Sequence, residues 1–110
     1  MSKELRGAVP FDEGMADMYR KNPEMAAGML NQCLEDGDAE MLLVTLRQIA
    51  KAFGGVSHVA EMAGLSETSL YRTLSRNGNP NLKTLMSISD VMGMRLAFVP
   101  KTPSVSYTHL

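Results

Sequence analysis

One face of a short predicted helix near residue 70 carries side chains that can bind nucleic acid. At about 100° per residue, one side of it holds two hydroxyl and two guanidinium groups, with a tyrosine on the flank: Thr68, Arg72, Ser75, Arg76 and Tyr71. Side chains of these types contact base edges and phosphates in a DNA major groove. The alternative is the solvated polar face of an ordinary helical hairpin. The spacing favours DNA binding.

The residues around this helix predict a helix-turn-helix over residues 56–76, which would position it. Gly64 stands where the first helix must end, because glycine takes a positive φ without a Cβ clash. Ser66 is a good N-cap for the second helix. Leu70 and Leu74 are four residues apart, so both face inward.

Composition and charge indicate a small helical protein with an uneven charge distribution. Of 110 residues, 45% are hydrophobic but only 5% aromatic, with 10 Met, which allows one domain with a modest core. The net charge of −1 excludes a protein that coats nucleic acid through overall positive charge. The first 40 residues hold four Lys or Arg against nine acids (−5), and the remainder seven against three (+4). This asymmetry suggests two surfaces for two partners.

Helix signals divide the chain before the motif into three helices. Residues 11–21 have apolar side chains at helical spacing. Asn22 followed by Pro23 marks the start of a second helix, which Gly37 ends. Asp38 can cap a third helix. The apolar stripe of this third helix repeats at i, i+4, i+7 and i+11: Leu42, Leu46, Ile49 and Phe53.

After the motif, a last helix capped by Asn81 and a short strand complete the predicted domain. The apolar run RLAFV at residues 95–99 is too short for a helix and is bounded by Pro100, which favours a β-strand. Pairing with a second copy would complete this strand and give a dimer that reads two DNA half-sites; packing on the helices without a ladder is the alternative. We predict an all-α fold, a compact helical domain with a short C-terminal β-strand. Its parts are a flexible N-terminus at 1–10, the helix-turn-helix domain at 11–100 and a flexible tail at 101–110.

Other function classes find little support in the sequence. The single Cys33 rules out an intrachain disulfide and lies on an apolar stripe, where an inert core thiol is expected. His58 and His109 are far apart, no glycine-rich phosphate loop follows a strand, and no residues have metal-site spacing. We therefore expect no enzyme activity, no cofactor, no metal and no small-molecule substrate. No apolar run is long enough to span a membrane and no signal peptide is evident, so we expect a soluble cytoplasmic protein.

Three blocks of sequence resemble those of a known family. They are LEDGD at residues 34–38, the A-x-x-x-GLS-x-x-SLYRTLS core at 60–75, and GNP at 78–80 before the final helix. In this order they are similar to the addiction-module antidote family, HigA-like antitoxins with a Cro/repressor-type helix-turn-helix, over residues 22–100. The resemblance implies an antitoxin that neutralises a RelE-like toxin, usually an mRNA-cleaving ribonuclease. It also implies repression of its own operon through operator DNA.

The same resemblance assigns DNA contacts to residues in and around the second motif helix: Ser66, Glu67, Thr68, Tyr71, Arg72 and Ser75. Arg76 and Lys83 add positive charge for phosphates, Lys83 from the first turn of the last helix. Two residues depart from what is common in helix-turn-helix motifs. Glu67 is acidic where basic or amide side chains are common, and Thr73 is polar where most motifs have an aliphatic residue.

Two alternatives keep this fold and change the function. A stand-alone repressor of phage type would bind DNA and have no toxin partner. A neighbouring small basic reading frame would favour the antitoxin over this repressor. A protein-interaction module would keep the two helices of the motif without binding DNA.

Overall fold

Six α-helices lie within residues 11–101, the part of the chain that the computed structural model describes. They are α1 (Phe11–Lys21), α2 (Pro23–Asp36), α3 (Ala39–Ala52), α4 (Val56–Ala63), α5 (Glu67–Thr73) and α6 (Leu82–Val91). The helical part of the predicted fold is therefore confirmed. The predictions of flexibility for residues 1–10 and for the tail beyond residue 101 fall outside the described residues.

Short-range signals in the sequence set most of the helix ends. Gly37 ends α2 in the left-handed region, at φ 68°, as its position after the helix predicted. The Asp38 carboxylate accepts a hydrogen bond from the Met41 N–H at 3.0 Å and so caps α3. Asn22 stands at the N-cap position of α2, but its side chain makes no capping hydrogen bond. Pro23 at the first position of α2 lacks an N–H that would need one.

The third helix is the centre of the fold, because α1, α2 and α4 all pack against it. Within the predicted stripe, Leu46 and Ile49 are buried, whereas Leu42 and Phe53 are only partly buried. Neighbours on several sides of α3 widen its buried face beyond a single stripe, and the additional buried residues are Leu43, Thr45, Gln48 and Ala50.

A second packing group consists of α4 with α5 and α6, which both pack against it. Val56 and Val59 of α4, Leu70 of α5 and Ile88 of α6 belong to the same buried cluster as α3. Gly54 and Gly55, both at φ 102°, turn the chain from α3 into α4. This turn joins the two groups into one core.

The predicted C-terminal β-strand is wrong. Residues 95–99 have no regular secondary structure, and no strand occurs anywhere between residues 11 and 101. A ladder needs a neighbouring strand to satisfy its backbone groups, and the described chain offers only helices. The apolar composition of the run indicated a strand, but residues 11–101 contain no strand that could pair with it.

In the described range, no helix is both long and apolar enough to cross a membrane.

Candidate nucleic-acid interface

A tight turn between α4 and α5 sets the position of the candidate site. Gly64 adopts φ 75° and ψ 30°, and its N–H donates to the Glu61 carbonyl at 3.2 Å. The next N–H, of Leu65, reaches back to the Ala60 carbonyl at 2.8 Å. These two bonds form a Schellman motif, which satisfies carbonyls that the end of α4 would leave free. The glycine predicted at this turn therefore has the conformation that the turn requires.

The inner side of α5 is held by capping and by burial. The Ser66 hydroxyl accepts a hydrogen bond from the Ser69 N–H at 3.1 Å, which confirms Ser66 as the N-cap. Leu70 is buried, and Leu74 at the C-cap is fully buried. With its inner side fixed in this way, α5 has one orientation relative to α4.

The outer side of α5 carries most of the predicted DNA-contacting residues, and all of these are exposed: Ser66, Glu67, Thr68, Tyr71 and Arg72. Ser69 is also exposed, although the helical-wheel argument left it out. Ser69 stands between Thr68 and Leu70, on the flank of the polar face, and this position could have indicated its exposure from the sequence. The exposed surface therefore holds hydroxyls, a phenol, one guanidinium and one carboxylate.

Two of the residues predicted on the polar face of this helix lie beyond its C-terminal end. α5 ends at Thr73, so Ser75 and Arg76 belong to the turn that follows and not to the face of α5. The Ser75 hydroxyl donates a hydrogen bond to the Arg72 carbonyl at 2.7 Å. Ser75 therefore caps the end of α5, and its proton is already used.

Arg76 is engaged by an acidic residue of α3. Its guanidinium lies 3.5 Å from the carboxylate of Glu40, in the first turn of α3. Both side chains are more than half exposed, so the pair is weakly held and screened by salt. Arg76 can exchange this partner for a phosphate, whereas no ion pair between described residues involves Arg72.

A close backbone approach shapes the turn after α5. The Gly78 N–H donates to the Ser75 carbonyl at 2.9 Å. A Cβ built on Gly78 would lie only 1.8 Å from the carbonyl oxygen of Thr73, the last residue of α5. Only glycine fits here, which gives the GNP block at 78–80 a structural reason.

Lys83, the remaining predicted residue, lies on a different helix. It is exposed in the first turn of α6, where the Asn81 side chain accepts a hydrogen bond from the Thr84 N–H at 2.8 Å. Asn81 is thus confirmed as the cap of α6. Since α6 packs against α4 and not chiefly against α5, Lys83 would contact DNA separately from the α5 face.

A groove of about 610 Å³ borders the turn after α5 and is lined by residues of α1, α2 and α3 and by residues 75–77. Its lining includes Met15, Met29 and Met41, together with Tyr19. Burial raises the pKa of Tyr19, whose hydroxyl donates to the buried Gln48 side chain at 3.4 Å.

Acidic Asp17 on α1 is already engaged by cations of its own helix. Lys21 at 3.2 Å and Arg20 at 2.6 Å contact its carboxylate, and these contacts lower the pKa of Asp17, Lys21 contributing most. Part of the negative charge counted in the first 40 residues is therefore neutralised locally. Among the residues whose side chains are described, the acids of the α2–α3 turn are the other concentration of negative charge.

Comparison with known proteins places the chain in a family. A model of the family described as "Probable addiction module antidote protein" matches residues 10–100. An uncharacterized protein from Haemophilus influenzae is 35% identical over 66 residues, covering 60% of this chain and 67% of the relative. No solved structure matches the chain significantly. Antidotes of addiction modules neutralise a toxin, so the family implies a toxin partner in general. The chain belongs to the addiction-module antidote family.

Proposed function

We propose that this antitoxin binds operator DNA through α4 and α5 as a helix-turn-helix, and represses its own operon. The observation that carries the proposal is the exposed polar face of α5 on a helix whose opposite side is buried. An N-capped, rigidly seated helix with outward hydroxyls and an arginine is the form in which side chains reach base edges of a major groove.

The toxin partner is proposed to be a RelE-like protein, and the working unit a homodimer. A dimer presents two α5 helices, which suits an operator with two half-sites. Neutralisation of the toxin is proposed to occur by binding, without catalysis by the antitoxin. The stand-alone repressor is the second candidate, but membership of an antidote family favours a toxin partner.

Positive charge near the α5 face sets the expected salt dependence of DNA binding. Arg72, Arg76 and Lys83 give about three phosphate contacts per copy and about six per dimer. At about 0.9 per phosphate, the slope of log affinity against log salt would be about −5. Affinity would then fall roughly 1,000-fold between 50 and 200 mM salt.

Fluorescence anisotropy with a labelled fragment of the DNA upstream of the gene tests the DNA half of the proposal. Arg72→Ala is expected to weaken binding and reduce the salt slope by about 2, because each dimer loses two phosphate contacts. Arg20→Ala is the matched control, since it removes the same charge from α1, where Arg20 pairs with Asp17. Equal losses in the two variants, or no binding by the wild type at low salt, would contradict DNA recognition by α5.

Co-expression with the product of a neighbouring small basic reading frame tests the toxin half. The expected result is a stable complex in which the ribonuclease activity of that product is blocked. If Arg72→Ala retains this complex while losing DNA, the two functions use separate surfaces. A failure to form the complex, with DNA binding intact, would support the stand-alone repressor.

A further inference from the structure

Residues 95–101 form an apolar segment that the rest of the described chain does not cover. Met94 still packs against the core, but every residue from 95 to 101 is exposed. The Phe98 side chain is fully exposed at 106%, and Val99 is exposed at 79%. Apolar side chains clustered at a surface in this way are typical of a segment that binds a partner. Phe98 is the largest anchor it offers.

The segment also carries two positively charged residues, one on each side of Phe98 in the sequence. Arg95 lies three residues before it and Lys101 three residues after it. In residues 11–101, neither cation has an ion-pair partner. The segment therefore consists of an aromatic anchor flanked by two available cations. The surface that binds it is expected to be apolar with an acidic rim.

A hollow with these properties lies at the turn between α2 and α3. It has a volume of about 170 Å³ and is lined by Cys33, Leu34, Gly37, Asp38, Ala39 and Leu42. A cavity of about 150 Å³ with apolar walls holds a benzene ring, so this hollow has room for one phenyl group. Leu34 is 62% exposed at its edge.

The chain around the hollow is acidic. Glu35 and Asp36 lie between two lining residues, Asp38 is itself part of the lining, and Glu40 follows two residues later. All four are exposed. Because Glu40 is engaged by Arg76, the rim consists of Glu35, Asp36 and Asp38, whose negative potential complements Arg95 and Lys101.

We propose that residues 95–101 of one copy dock on the α2–α3 turn of a second copy, with Phe98 in the hollow and Arg95 and Lys101 on its acidic rim. Phe98 does not fill the hollow of its own chain, because it is fully exposed there. A second copy carries the same segment and the same hollow, so each copy can fill the hollow of the other. This inference rests on the homodimer of the proposed function.

Reciprocal docking closes the assembly at two copies. Each copy contributes one segment and one hollow, so a two-fold axis generates two identical contacts and leaves neither surface unused. The contact needs no β-ladder. It buries an aromatic anchor within a polar rim, the arrangement in which a few residues carry most of the binding energy.

Sedimentation velocity without DNA measures the dimer directly. Phe98→Ala is expected to raise the dimer Kd at least about tenfold, as loss of an interface anchor does. The monomer should keep its fold, since Phe98 touches little of it. Met62→Ala, which removes another exposed apolar side chain from α4, should leave the Kd unchanged. A monomeric wild type, or an unchanged Kd for Phe98→Ala, would overturn the proposal.

Charge exchange between the two surfaces gives a sharper test. One variant carries Glu35→Lys and Asp36→Lys, and the other carries Arg95→Glu and Lys101→Glu. Alone, each variant places like charges at both contacts and is expected to be monomeric. Mixed, they place opposite charges at both contacts and are expected to form a one-to-one heterodimer. The lysines lie at the C-terminal end of α2, where positive charge is favourable, so folding is preserved. No heterodimer in the mixture would refute the proposed pairing.

Cys33 reports where the docking occurs, because it is the one cysteine of the chain and its side chain, only 7% exposed, lines the hollow and is alkylated slowly from there. Its alkylation rate is expected to fall as the wild-type concentration passes the dimer Kd, and to stay constant for Phe98→Ala. Arg72→Ala should show the wild-type protection, so a failure of DNA binding is separable from a failure of this interface. If the toxin protects Cys33 from alkylation while Phe98→Ala still dimerises like the wild type, the hollow binds the toxin. That result would overturn the pairing of two copies.

Discussion

Replacing Gly78 with alanine tests the turn that ends the candidate recognition helix. The new Cβ would lie 1.8 Å from the Thr73 carbonyl oxygen, against a limit of 3.0 Å for real contacts, so the two atoms must separate by at least 1.2 Å. That shift strains the 2.9 Å hydrogen bond from the Gly78 N–H to the Ser75 carbonyl. It also disturbs the bond from the Ser75 hydroxyl to the Arg72 carbonyl.

The expected loss of stability follows from this overpacking and from the strained hydrogen bond. Overpacking costs about 1–3 kcal/mol, and a strained hydrogen bond adds about 1 kcal/mol. We therefore expect Gly78→Ala to lower the free energy of unfolding by about 2–4 kcal/mol. For a domain of this size, the Tm would fall by at least about 8 °C.

Gly28→Ala is the matched control for this experiment. Gly28 lies inside α2, and a Cβ there would meet no atom within 4 Å. The same substitution should raise the free energy of unfolding by about 0.5–1 kcal/mol, because alanine is the better helix former. Urea unfolding followed by far-UV circular dichroism measures both variants, since the chain has no Trp. A Gly78→Ala variant as stable as the wild type would refute the close approach described here.

Three further experiments test capping, burial and charge. Asp38→Ala should cost about 1 kcal/mol in urea unfolding because it removes the α3 cap, whereas Asn22→Ala should cost little, since Asn22 makes no capping bond; equal costs would contradict this. Burial raises the pKa of Tyr19, so its stabilising effect is complete below about pH 10 and is lost as the pH rises through the raised pKa. Tyr19→Phe should therefore flatten the decline of stability between about pH 9 and 11, and an unchanged decline would exclude this cause. Glu40→Gln frees Arg76 and should strengthen operator binding by less than about 1 kcal/mol, measured by anisotropy; weaker binding would contradict a role of Arg76 at phosphates.

Most helix ends were predictable because their causes lie within a few residues. Gly37 and Gly64 each follow a helix and take a positive φ, and Ser66 and Asn81 each accept a hydrogen bond from an N–H three residues later. Such capping depends on local backbone geometry, which residue type and spacing encode directly. These features were visible in the sequence.

The features that were missed depend on residues distant in sequence or on a second chain. The strand at 95–99 was inferred from composition, but a strand forms only beside another strand. Arg76 was assigned to the helix face, yet α5 ends three residues earlier and Arg76 pairs with Glu40, 36 positions away. Neither the approach of Gly78 to Thr73 nor this ion pair has a periodic signal. The DNA contacts themselves stay predictions.

The charge-exchanged heterodimer connects the proposed interface to DNA binding. Glu35→Lys with Asp36→Lys raises the charge of one chain by four, and Arg95→Glu with Lys101→Glu lowers the other by four. The pair therefore keeps the total of two wild-type chains at −1 each. None of the four positions is on α5 or α6. If dimerisation is what positions two α5 helices, the mixture should bind the operator at wild-type affinity, although each variant alone binds weakly. Phe98→Ala, whose charge is unaltered, should bind as weakly as the separate variants. A mixture that dimerises without regaining operator binding would show that this dimer is not the one that reads DNA.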